Sequence, residues 1–527
     1  MSFSMPERLN MATYFLDSNL EAGRGGRTAL VSKDRHGAVT ERTFDDVAAL
    51  ANRTGNALAD LGVEIEQRIL LAVGDGPEFV GAWFGGLKIG AVLTAVNPLL
   101  PPADYAYYLE YTRARVAFCD EDSLPGFLAA LPEARWLKAL VVVGAEAPAT
   151  GGRAKVVRYD DVVGGADPRL DPADTHRDDV AVWLFTSGTT GKPKGAVHFH
   201  QDFVFNCEHY AKLVLRYRED DRVMGVPRLF FGYGTGSNLM FPYRAGAACI
   251  TFHEHPKAET VLENVDRFRP TALVNVPTTI KKMLLAEDVR SRCDLSSLRF
   301  MTSAGEALPP ETYRAWKEAY PECEILDGIG SAEMFHVFLS NFPGDVRPGT
   351  LGKLVPGYEV RIVGPDGADV PDGEVGTLWV GGRSAALCYW HDREKSRATY
   401  HGDWVVTADQ FRRDDDGYFH YCGRADDMLK VGGIWVSPLE IEECLLGHEA
   451  VKECAVIGCE EDGLVLPKAF VVPRDGAEAG DALRDELLRH ARERLARYKA
   501  PREIRFLDAL PRNDRGKVKR NALRELA

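Results

Sequence analysis

The sequence predicts an α/β fold: a large N-terminal domain with parallel βαβ sheets plus a small β-barrel subdomain, and a small α+β C-terminal domain. Three observations predict it. Strand and helix patterns alternate between residues 68 and 326, short alternating segments follow from about residue 347, and a separate core begins near residue 426. A chain of 527 residues is also too long for one core. We therefore expect an N-terminal domain over residues 1–425 and a C-terminal domain over 426–527.

Apolar runs bounded by turn residues predict the strands of the N-terminal domain. They lie at 68–73, 91–96, 116–119, 139–143, 180–185, 271–276, 298–302 and 323–326. Helical stretches separate them, such as residues 78–88, which follow a Gly-Asp-Gly-Pro turn. Strands separated by helices form parallel sheets, and ligands bind beyond the carboxyl ends of such strands. We therefore expect the chemistry in the segments that follow these strands.

The second half of the chain carries shorter elements. Its strand patterns lie at 358–363, 376–380, 455–457 and 468–472. The first two predict a small antiparallel barrel or sheet, and an Arg-rich helix is predicted at 481–496. Ser437 and Glu440 form a capping-box pattern with Pro438 at the first helical position, which predicts a helix start there.

Composition and charge restrict the class of protein. Hydrophobic residues make up 45% of the chain and charged residues 27%, which is ordinary for a globular protein. The net charge of −14 argues against nucleic-acid binding, because such binding relies on Lys and Arg. Residues 481–527 carry fourteen Lys and Arg against eight Asp and Glu, which fits either a polyanionic ligand at this end or a solvated Arg-rich helix.

Targeting and redox signals are weak in this sequence. The ten cysteines are scattered singly, so neither a zinc site nor a disulfide framework is indicated. The N-terminus has no apolar core of a signal peptide, and the most apolar stretch, residues 79–100, is interrupted by a lysine, a proline and several glycines. We expect a cytoplasmic enzyme that does not bind membranes.

Residues 186–195 form a loop of unusual composition directly after the strand pattern 180–185. Three glycines, two lysines and four hydroxyl residues supply N–H groups, hydroxyls and positive charge, which can hold the oxygens of a polyphosphate. The GxxxxGK[ST] pattern fails because Pro193 follows Lys192, and a Gly/Ser linker is the plainer alternative. The nucleotide-binding candidates here are Thr186, Ser187, Gly188, Thr189, Thr190, Gly191 and Lys192.

Several further motifs follow in order. They are Ser303-Ala-Gly-Glu306, Gly330-Ser-Ala-Glu333, Asp403-Trp-Val-Val-Thr-Ala-Asp409, Gly423-Arg-Ala-Asp-Asp427 and Pro511-Arg-Asn-Asp-Arg-Gly-Lys-Val-Lys-Arg520. With the loop at 186–195 they make the chain resemble, over essentially its whole length, the adenylate-forming family of CoA ligases, carrier-loading adenylation enzymes and luciferases. Within that family it looks most similar to benzoate-CoA ligases. The segments that suggest this are Ala12–Phe15, Leu229–Tyr233, Asp327–Gly330 and Gly433–Pro438.

The resemblance implies a reaction in two halves, with ATP, Mg²⁺ and CoA as cofactor and co-substrates. ATP and a carboxylate give an acyl-adenylate and pyrophosphate, and a thiol then displaces AMP. Lys517 would act on the carboxylate and the α-phosphate, and Glu333 would be the catalytic Mg²⁺ ligand. The remaining nucleotide-binding residues implied, for adenine, ribose and phosphate, are Gly305, Glu306, Ala307, Asp327, Gly328, Asp409, Tyr421 and Arg424.

The resemblance also implies how the thiol reaches the adenylate and where the acid binds. The small C-terminal domain would be mobile about a hinge at Asp426, and Lys430, Gly432 and Gly433 would line a thiol tunnel. The acid pocket would be built from Phe231, Gly232, Tyr233, Gly330, His336 and Val337. We expect its glycines to leave room for a flat ring, its small walls to favour a substituted benzoate, and His336 to bond a ring substituent or serve structurally.

Three departures from the family pattern and two alternatives qualify these expectations, and the first departure is Ile329, where the family commonly has a tyrosine. Ala332 stands where the family commonly has a threonine, whose hydroxyl would help to hold a phosphate. Its absence weakens phosphate binding by about 1 kcal/mol if no water replaces the hydroxyl. Phe231 stands where many relatives have a histidine. The acceptor thiol can belong to CoA or to a carrier protein. A non-catalytic nucleotide-binding protein of the same fold is the second alternative, and the sequence leaves the oligomeric state open.

Overall fold

A computed structural model describes residues 4–149, 151–186, 192–402, 404–431, 434–461, 464–512 and 518–526. The strands, in chain order, are β1 (Thr28–Lys33), β2 (Val39–Thr43), β3 (Arg68–Ala72), β4 (Val92–Ala95), β5 (Val116–Cys119), β6 (Ala139–Val142), β7 (Lys155–Arg158), β8 (Val180–Thr186), β9 (Lys194–Phe199), β10 (Arg222–Gly225), β11 (Ala248–Phe252), β12 (Ala272–Asn275), β13 (Phe300–Ser303), β14 (Glu324–Gly330), β15 (Val337–Ser340), β16 (Lys353–Leu354), β17 (Glu359–Val363), β18 (Gly376–Gly381), β19 (Tyr400–His401), β20 (Trp404–Arg413), β21 (Phe419–Arg424), β22 (Leu429–Val431), β23 (Ile434–Val436), β24 (Val451–Glu461), β25 (Leu464–Pro473) and β26 (Glu503–Phe506).

The α-helices connect these strands. They are α1 (Ser18–Glu21), α2 (Phe44–Asp60), α3 (Pro77–Lys88), α4 (Pro102–Thr112), α5 (Leu124–Ala130), α6 (Tyr159–Val163), α7 (His200–Asn206), α8 (Gly232–Thr235), α9 (Phe241–Ala245), α10 (Ala258–Phe268), α11 (Pro277–Leu285), α12 (Glu287–Arg290), α13 (Pro310–Ala319), α14 (Arg393–Thr399), α15 (Pro438–Leu446), α16 (Asp481–Arg494) and α17 (Arg520–Leu526). Short π-helical turns lie at Thr13–Asp17, Cys207–Leu215 and Gly236–Met240, and 3₁₀ turns at Leu131–Glu133, Ala332–Met334 and Ala425–Asp427.

The chain divides into two compact units. One comprises Met1–Glu359 and Val380–Val405, and the other comprises Val360–Trp379 and Val406–Ala527. The domain boundary between residues 425 and 426 stays a prediction. Among the helices of the described residues, none combines the length and the apolar character needed to cross a membrane.

A seven-stranded sheet in the first unit has the order β7-β6-β5-β3-β4-β8-β9. Its strands pair in parallel except for β9, which runs antiparallel to β8. Tyr105 and Phe127, from α4 and α5, pack with Leu70, Ala117 and Leu140 of the sheet in one buried cluster. The alternation of strand and helix patterns therefore predicts five of the seven strands, whereas β7 and β9 are not predicted.

A nine-stranded sheet in the same unit has the order β16-β15-β14-β13-β12-β10-β11-β1-β2. Parallel pairing joins its six central strands, which are β14, β13, β12, β10, β11 and β1. Asn275 and Ser303 end β12 and β13, and they stand side by side with Asp327, which ends the parallel part of β14. Segments that follow these ends are thereby brought to one edge of the sheet, as expected for a ligand site in a parallel sheet.

The remaining sheets are smaller. A five-stranded sheet has the order β17-β18-β20-β19, with β21 paired to β20, in the segment where the sequence predicts a small barrel or antiparallel sheet. In the second unit β24, β25 and β26 form a sheet whose core includes residues of α15 and α16. The predicted α/β class with a separate C-terminal core is confirmed.

The start of α15 differs from the predicted capping box. Ser437 is the N-cap residue and Pro438 is the first helical residue, as predicted, but the Ser437 side chain makes no cap hydrogen bond. Its Oγ is buried without a partner among the described residues. Glu440 does not complete the box, because both of its carboxylate oxygens accept from Lys499 Nζ at 2.7 Å.

Candidate functional site

The predicted adenine-binding segment Gly305–Ala307 is an exposed loop directly after β13. Gly305 has φ +91°, a left-handed conformation that other residues rarely adopt, and it turns the chain away from the strand. The Glu306 carboxylate accepts hydrogen bonds from the Thr278 N–H at 3.3 Å and the Thr278 hydroxyl at 2.5 Å. This contact connects the loop to the first turn of α11, the helix that follows the neighbouring strand β12.

Asp327 ends the parallel part of β14 with a buried carboxyl group. Burial raises the pKa of Asp327 to about 8, and it outweighs the opposing effects of the Ser303 hydroxyl and of nearby backbone N–H groups. Its Oδ1 atom is buried without a hydrogen-bond partner among the described residues. A buried polar atom without a partner requires one from a ligand or from water.

Glu333, the predicted Mg²⁺ ligand, lies in the 3₁₀ turn Ala332–Met334 between β14 and β15. Its Oε1 accepts a hydrogen bond from the Tyr389 hydroxyl at 2.5 Å, and its carbonyl oxygen accepts from the Ala386 N–H at 2.8 Å. Ser331 Oγ accepts from the Met334 N–H at 3.3 Å and so caps the turn. For Oε2 the structure gives no partner within the residues it describes.

The backbone after Glu333 is strained. Phe335 has φ +67° and ψ −54°, and the His336 N–H donates to the Met334 carbonyl at 2.9 Å, which defines a γ-turn of the rare positive-φ kind. Such a conformation costs roughly 1–3 kcal/mol for a bulky residue and persists only where its surroundings hold it. The turn separates the carboxylate of Glu333 from the imidazole of His336.

Ala332, where the family has a hydroxyl residue, packs against a buried cluster of Ala196, Ala386 and Tyr389. The Tyr400 hydroxyl next to this cluster is buried without a partner among the described residues. Burial and the nearby Glu333 carboxylate both raise the pKa of Tyr400, so its hydroxyl stays protonated. The methyl group of Ala332 packs against this cluster, and its effect on the reaction rate stays a prediction.

Metal binding at Glu333 agrees with the chemistry of the residues present. In the described ranges there is no cluster of three or more His, Cys, Asp or Glu that could enclose a metal. Mg²⁺ does not need one, because it is usually bound by one or two carboxylates together with waters and substrate phosphates. Glu333 and the orphaned Tyr400 hydroxyl are polar groups of the kind such a hydrated ion uses.

The predicted phosphate loop begins at Thr186, which ends β8 and pairs with Lys194 of β9. Ser187, Gly188, Thr189, Thr190 and Gly191 lie outside the described residues. The Lys192 ammonium lies 5.1 Å from the centre of the Tyr107 ring, and the Tyr107 hydroxyl donates to the Pro193 carbonyl at 2.7 Å.

The second lysine of this loop is neutralised within the protein. Lys194 Nζ pairs with Asp392 Oδ2 at 2.8 Å, and this partner holds the pKa of the Asp392 carboxyl below its usual value. Lys192 carries no such internal partner among the described residues. Of the two lysines, Lys192 is therefore the one whose charge is available to a phosphate group.

His336 and Tyr233 form the centre of the predicted acid pocket. Burial lowers the pKa of His336 to about 3, so the imidazole is neutral. Its Nε2 lies 3.3 Å from the Tyr233 carbonyl, which can only accept, and 3.1 Å from Ser237 Oγ. Nε2 therefore carries the hydrogen, and Nδ1 is a buried acceptor without a partner among the described residues.

The other pocket candidates are placed as follows. Tyr233 donates to or accepts from Thr302 Oγ1 at 2.8 Å, Phe231 is 40% exposed, and Val337 is buried at the start of β15. A Cβ atom on Gly232 would lie 2.9 Å from a Leu184 methyl group, and one on Gly330 would lie 2.4 Å from the His336 carbonyl oxygen. The space that a side chain on either glycine would occupy is therefore filled by other parts of the chain. This is contrary to the expectation that the two glycines leave room for a ring.

In the second unit, Asp409 and Arg424 are opposite each other on the antiparallel strands β20 and β21. Asp409 Oδ1 lies 3.4 Å from Arg424 Nη1 and 3.4 Å from the Tyr421 hydroxyl. Burial raises the pKa of Tyr421, which keeps its hydroxyl protonated. The three residues predicted to bind the sugar and phosphate are thus brought together by strand register.

Five predicted residues of the hinge, tunnel and catalytic motif are described only in part or not at all. Asp426 lies in the 3₁₀ turn Ala425–Asp427, and Lys430 lies opposite Trp435 in the β22–β23 pair. Nothing is described of their side chains. Gly432, Gly433 and Lys517 lie outside the described residues, so their roles stay predictions.

Sequence reasoning missed several residues that surround the predicted site. Tyr389 contacts Glu333, His198 contacts Ala332, Tyr107 contacts Pro193, and a Cβ on Gly236 would lie 2.6 Å from the His336 ring. No local pattern marks these positions, because each contact joins segments that are distant in the sequence. Only the glycine-rich segment 232–236, which forms α8 and the start of the following π-helical turn, offered a signal.

Comparison with known proteins identifies the family to which the chain belongs. A family model described as AMP-binding enzyme matches residues 18–390, and one described as AMP-binding enzyme C-terminal domain matches residues 440–517. The chain is 42% identical to the benzoate–CoA ligase of Thauera aromatica, over 99% of this chain and 97% of that protein. It is 40% identical to the 4-hydroxybenzoate–CoA/benzoate–CoA ligase of Rhodopseudomonas palustris, over 99% and 95%. The crystal structure of the anthranilate CoA ligase AuaEII in complex with anthranoyl-AMP is similar with a TM-score of 0.91 and 42% identity, over 99% of this chain and 98% of that one.

Proposed function

This chain belongs to the AMP-binding enzyme family, and from that premise we propose that it is an ATP-dependent ligase that joins an aromatic carboxylic acid to the thiol of CoA. A carboxylate oxygen attacks the α-phosphorus of ATP, and pyrophosphate leaves. The CoA thiol then attacks the acyl carbon of the adenylate, loses its proton, and AMP leaves. The full-length relatives named for benzoate and hydroxybenzoate ligation support this substrate class.

The first half-reaction brings two anions together, so the chain must supply cations and N–H donors where charge develops. We assign Lys192 and the 186–191 loop to the phosphates that leave, and Lys517 to the carboxylate and the α-phosphate. Asp409 and Arg424 bind the ribose, and Asp327 with the Gly305–Ala307 loop binds adenine. Bound at Glu333, Mg²⁺ supplies charge neutralisation on the phosphate oxygens.

One observation carries the proposal about the ring. The Nδ1 atom of His336 is a buried, unpaired acceptor on a neutral imidazole, among the rings of Tyr210, Tyr233 and Phe241 at 4.9–5.5 Å. A hydroxyl or amino group on a benzoate ring can donate to such an atom, whereas an unsubstituted ring leaves it unpaired. We therefore propose that hydroxy- or aminobenzoates are accepted at least as well as benzoate.

A mass-spectrometric assay tests this function. The purified protein is incubated with ATP, Mg²⁺ and a panel of benzoates and aliphatic acids, first without a thiol and then with CoA. We expect an aryl-adenylate first and an aryl-CoA thioester after addition of CoA. Absence of an adenylate with every aromatic acid would overturn the proposal.

The acceptor is tested in the same experiment. The basic charge of residues 481–527 suits CoA, with its 3′-phosphate, and also suits an acidic carrier protein. A parallel reaction therefore contains a phosphopantetheine-bearing carrier protein in place of CoA. Faster loading of the carrier protein than of CoA would replace the proposed acceptor while leaving the adenylation step intact.

A further inference from the structure

A buried pair of side chains lies behind the Glu333 turn. His198 at the end of β9 and Asp202 in α7 have fully buried side chains, and His198 Nδ1 lies 2.9 Å from Asp202 Oδ2. His198 Nε2 lies 2.6 Å from the carbonyl oxygen of Ala332. Since a carbonyl oxygen only accepts, Nε2 donates a hydrogen bond to the residue that directly precedes Glu333.

The same pair supports the strained turn. The His198 ring lies 6.2 Å from the ring of Phe335, and Phe203, the neighbour of Asp202 on α7, also packs on Phe335. Backbone conformations of this type persist only where the surrounding structure fixes them. His198 therefore fixes the Ala332 end of the turn by a hydrogen bond, and its ring and that of Phe203 fix the Phe335 end by packing.

Strand β9 also holds Glu333 from its other side. The Val197 N–H donates to the Cys388 carbonyl at 2.9 Å, and the Val197 carbonyl accepts from the Leu387 N–H at 2.8 Å. This pairing places the segment whose Ala386 N–H and Tyr389 hydroxyl bond to Glu333. Because β9 begins at Lys194, at the end of the 186–195 loop, one strand connects that loop to both supports of Glu333.

We propose that His198 and Asp202 are a positioning pair, which sets the place of the Glu333 carboxylate relative to β9. The proposal rests on the proposed function, in which Glu333 holds the metal that accompanies ATP. Asp202 fixes the His198 ring, and His198 holds the Ala332 carbonyl. Loss of the Nε2 donor then lets the Ala332 end of the turn move and weakens metal binding.

Stability alone does not explain this pair. Apolar side chains of similar volume often replace a buried ionisable pair without loss of stability. An imidazole, however, aims one N–H at the Ala332 carbonyl and the other nitrogen at Asp202, which an apolar side chain cannot do. The directional contact to Ala332 is therefore the feature to test.

His200 provides a matched control. Its side chain is also fully buried, and its Nδ1 accepts a hydrogen bond from the Met11 N–H at 3.1 Å, away from the Glu333 turn. His198→Leu and His200→Leu each remove one buried imidazole, and the two positions are only two residues apart. His198→Gln retains an N–H donor that reaches the position of Nε2, and His198→Asn is one methylene shorter.

The experiment measures Mn²⁺ binding by electron paramagnetic resonance in the presence of α,β-methylene-ATP, which cannot form the adenylate. We expect His198→Leu to raise the Kd for Mn²⁺ about tenfold, the size of effect that loss of one hydrogen bond near a charged group produces. His198→Gln and His200→Leu should stay within about threefold of the unmodified protein. In His198→Leu the KM for benzoate should rise less than the Kd for Mn²⁺, because the lost hydrogen bond is at the Ala332 end of the turn.

Two results would overturn the inference: an unchanged Mn²⁺ Kd in His198→Leu, or an equal increase in His200→Leu. If His198→Leu does not fold, the comparison of His198→Gln with His198→Asn decides, since only the longer amide reaches the Ala332 carbonyl. Failure of the unmodified protein to bind Mn²⁺ with the nucleotide analogue would instead count against the proposed function.

Discussion

The contact between Tyr107 and the end of the 186–195 loop allows a graded test of the loop's role in ATP binding. Burial raises the pKa of Tyr107 to about 12, so its hydroxyl is a donor at neutral pH, and it bonds to the Pro193 carbonyl at 2.7 Å. Its ring faces the Lys192 ammonium at 5.1 Å. Tyr107→Phe removes only the hydrogen bond, whereas Tyr107→Leu removes the hydrogen bond and the ring.

The two substitutions should differ by the strength of the cation–π contact. A hydrogen bond contributes about 1 kcal/mol, so Tyr107→Phe should raise the KM for ATP about fivefold. A cation–π contact adds about 0.5–1 kcal/mol, so Tyr107→Leu should raise it about 10- to 30-fold. The reason is that the lost contacts no longer stabilise the phosphate-binding conformation of the loop, so part of the free energy of ATP binding is used to form it.

The assay is ATP–pyrophosphate exchange at saturating benzoate, repeated at saturating ATP to obtain the KM for benzoate. Tyr313→Phe, on α13 beside the other large sheet, is the control for loss of a tyrosine hydroxyl. An unchanged KM for ATP in both Tyr107 variants would refute the reasoning. An equal rise in the KM for benzoate would also refute it, because the contact would then act on the whole site.

Three further predictions concern the other parts of the site. Lys517→Ala should abolish adenylate formation yet spare thioester formation from a preformed aryl-adenylate, and equal loss of both half-reactions in single-turnover assays would exclude the assigned role. Burial raises the pKa of Asp327 from 3.8 to about 8, so the folded state favours the protonated acid, and the contribution of this group to stability falls as pH rises from about 4 to 8. Between about pH 5.5 and 7.5, the free energy of unfolding of Asp327→Asn should therefore rise by about 2 to 3 kcal/mol relative to that of the unmodified protein. The difference in Tm between the two proteins should grow accordingly, and a difference in Tm independent of pH would contradict this. His336→Phe should lower kcat/KM for hydroxy- or aminobenzoates relative to benzoate about fivefold, from the loss of one hydrogen-bond acceptor, and an unchanged ratio would remove His336 from substrate recognition.

The sequence predicts eight of the strands β1 to β14, because their apolar runs are continuous and bounded by turn residues. The predicted strand at 116–119 matches β5 residue for residue. Strands β1 and β11 escape prediction because they stabilise each other, and their partners lie more than 200 residues apart in the chain. Pairing over such a distance leaves no periodic pattern in either segment.

The candidate site shows the same limit. The family resemblance implies roles for Glu333, Asp327 and His336 in binding metal, adenine and acid, and these roles stay predictions. It does not identify Tyr389 or His198, which reach Glu333 and Ala332 from other elements. The capping box at Ser437 also fails for a tertiary reason, because Lys499 draws the Glu440 carboxylate away from the helix end.

Oxygen isotope transfer tests the central claim most directly, namely that a carboxylate oxygen attacks the α-phosphorus of ATP. Benzoate labelled with ¹⁸O in both carboxylate oxygens is converted with ATP, Mg²⁺ and CoA, and the products are separated and weighed by mass spectrometry. The proposed reaction leaves one ¹⁸O atom in AMP and one in the thioester, with none in pyrophosphate. Formation of ADP with ¹⁸O in inorganic phosphate, or unlabelled AMP, would contradict the adenylate route.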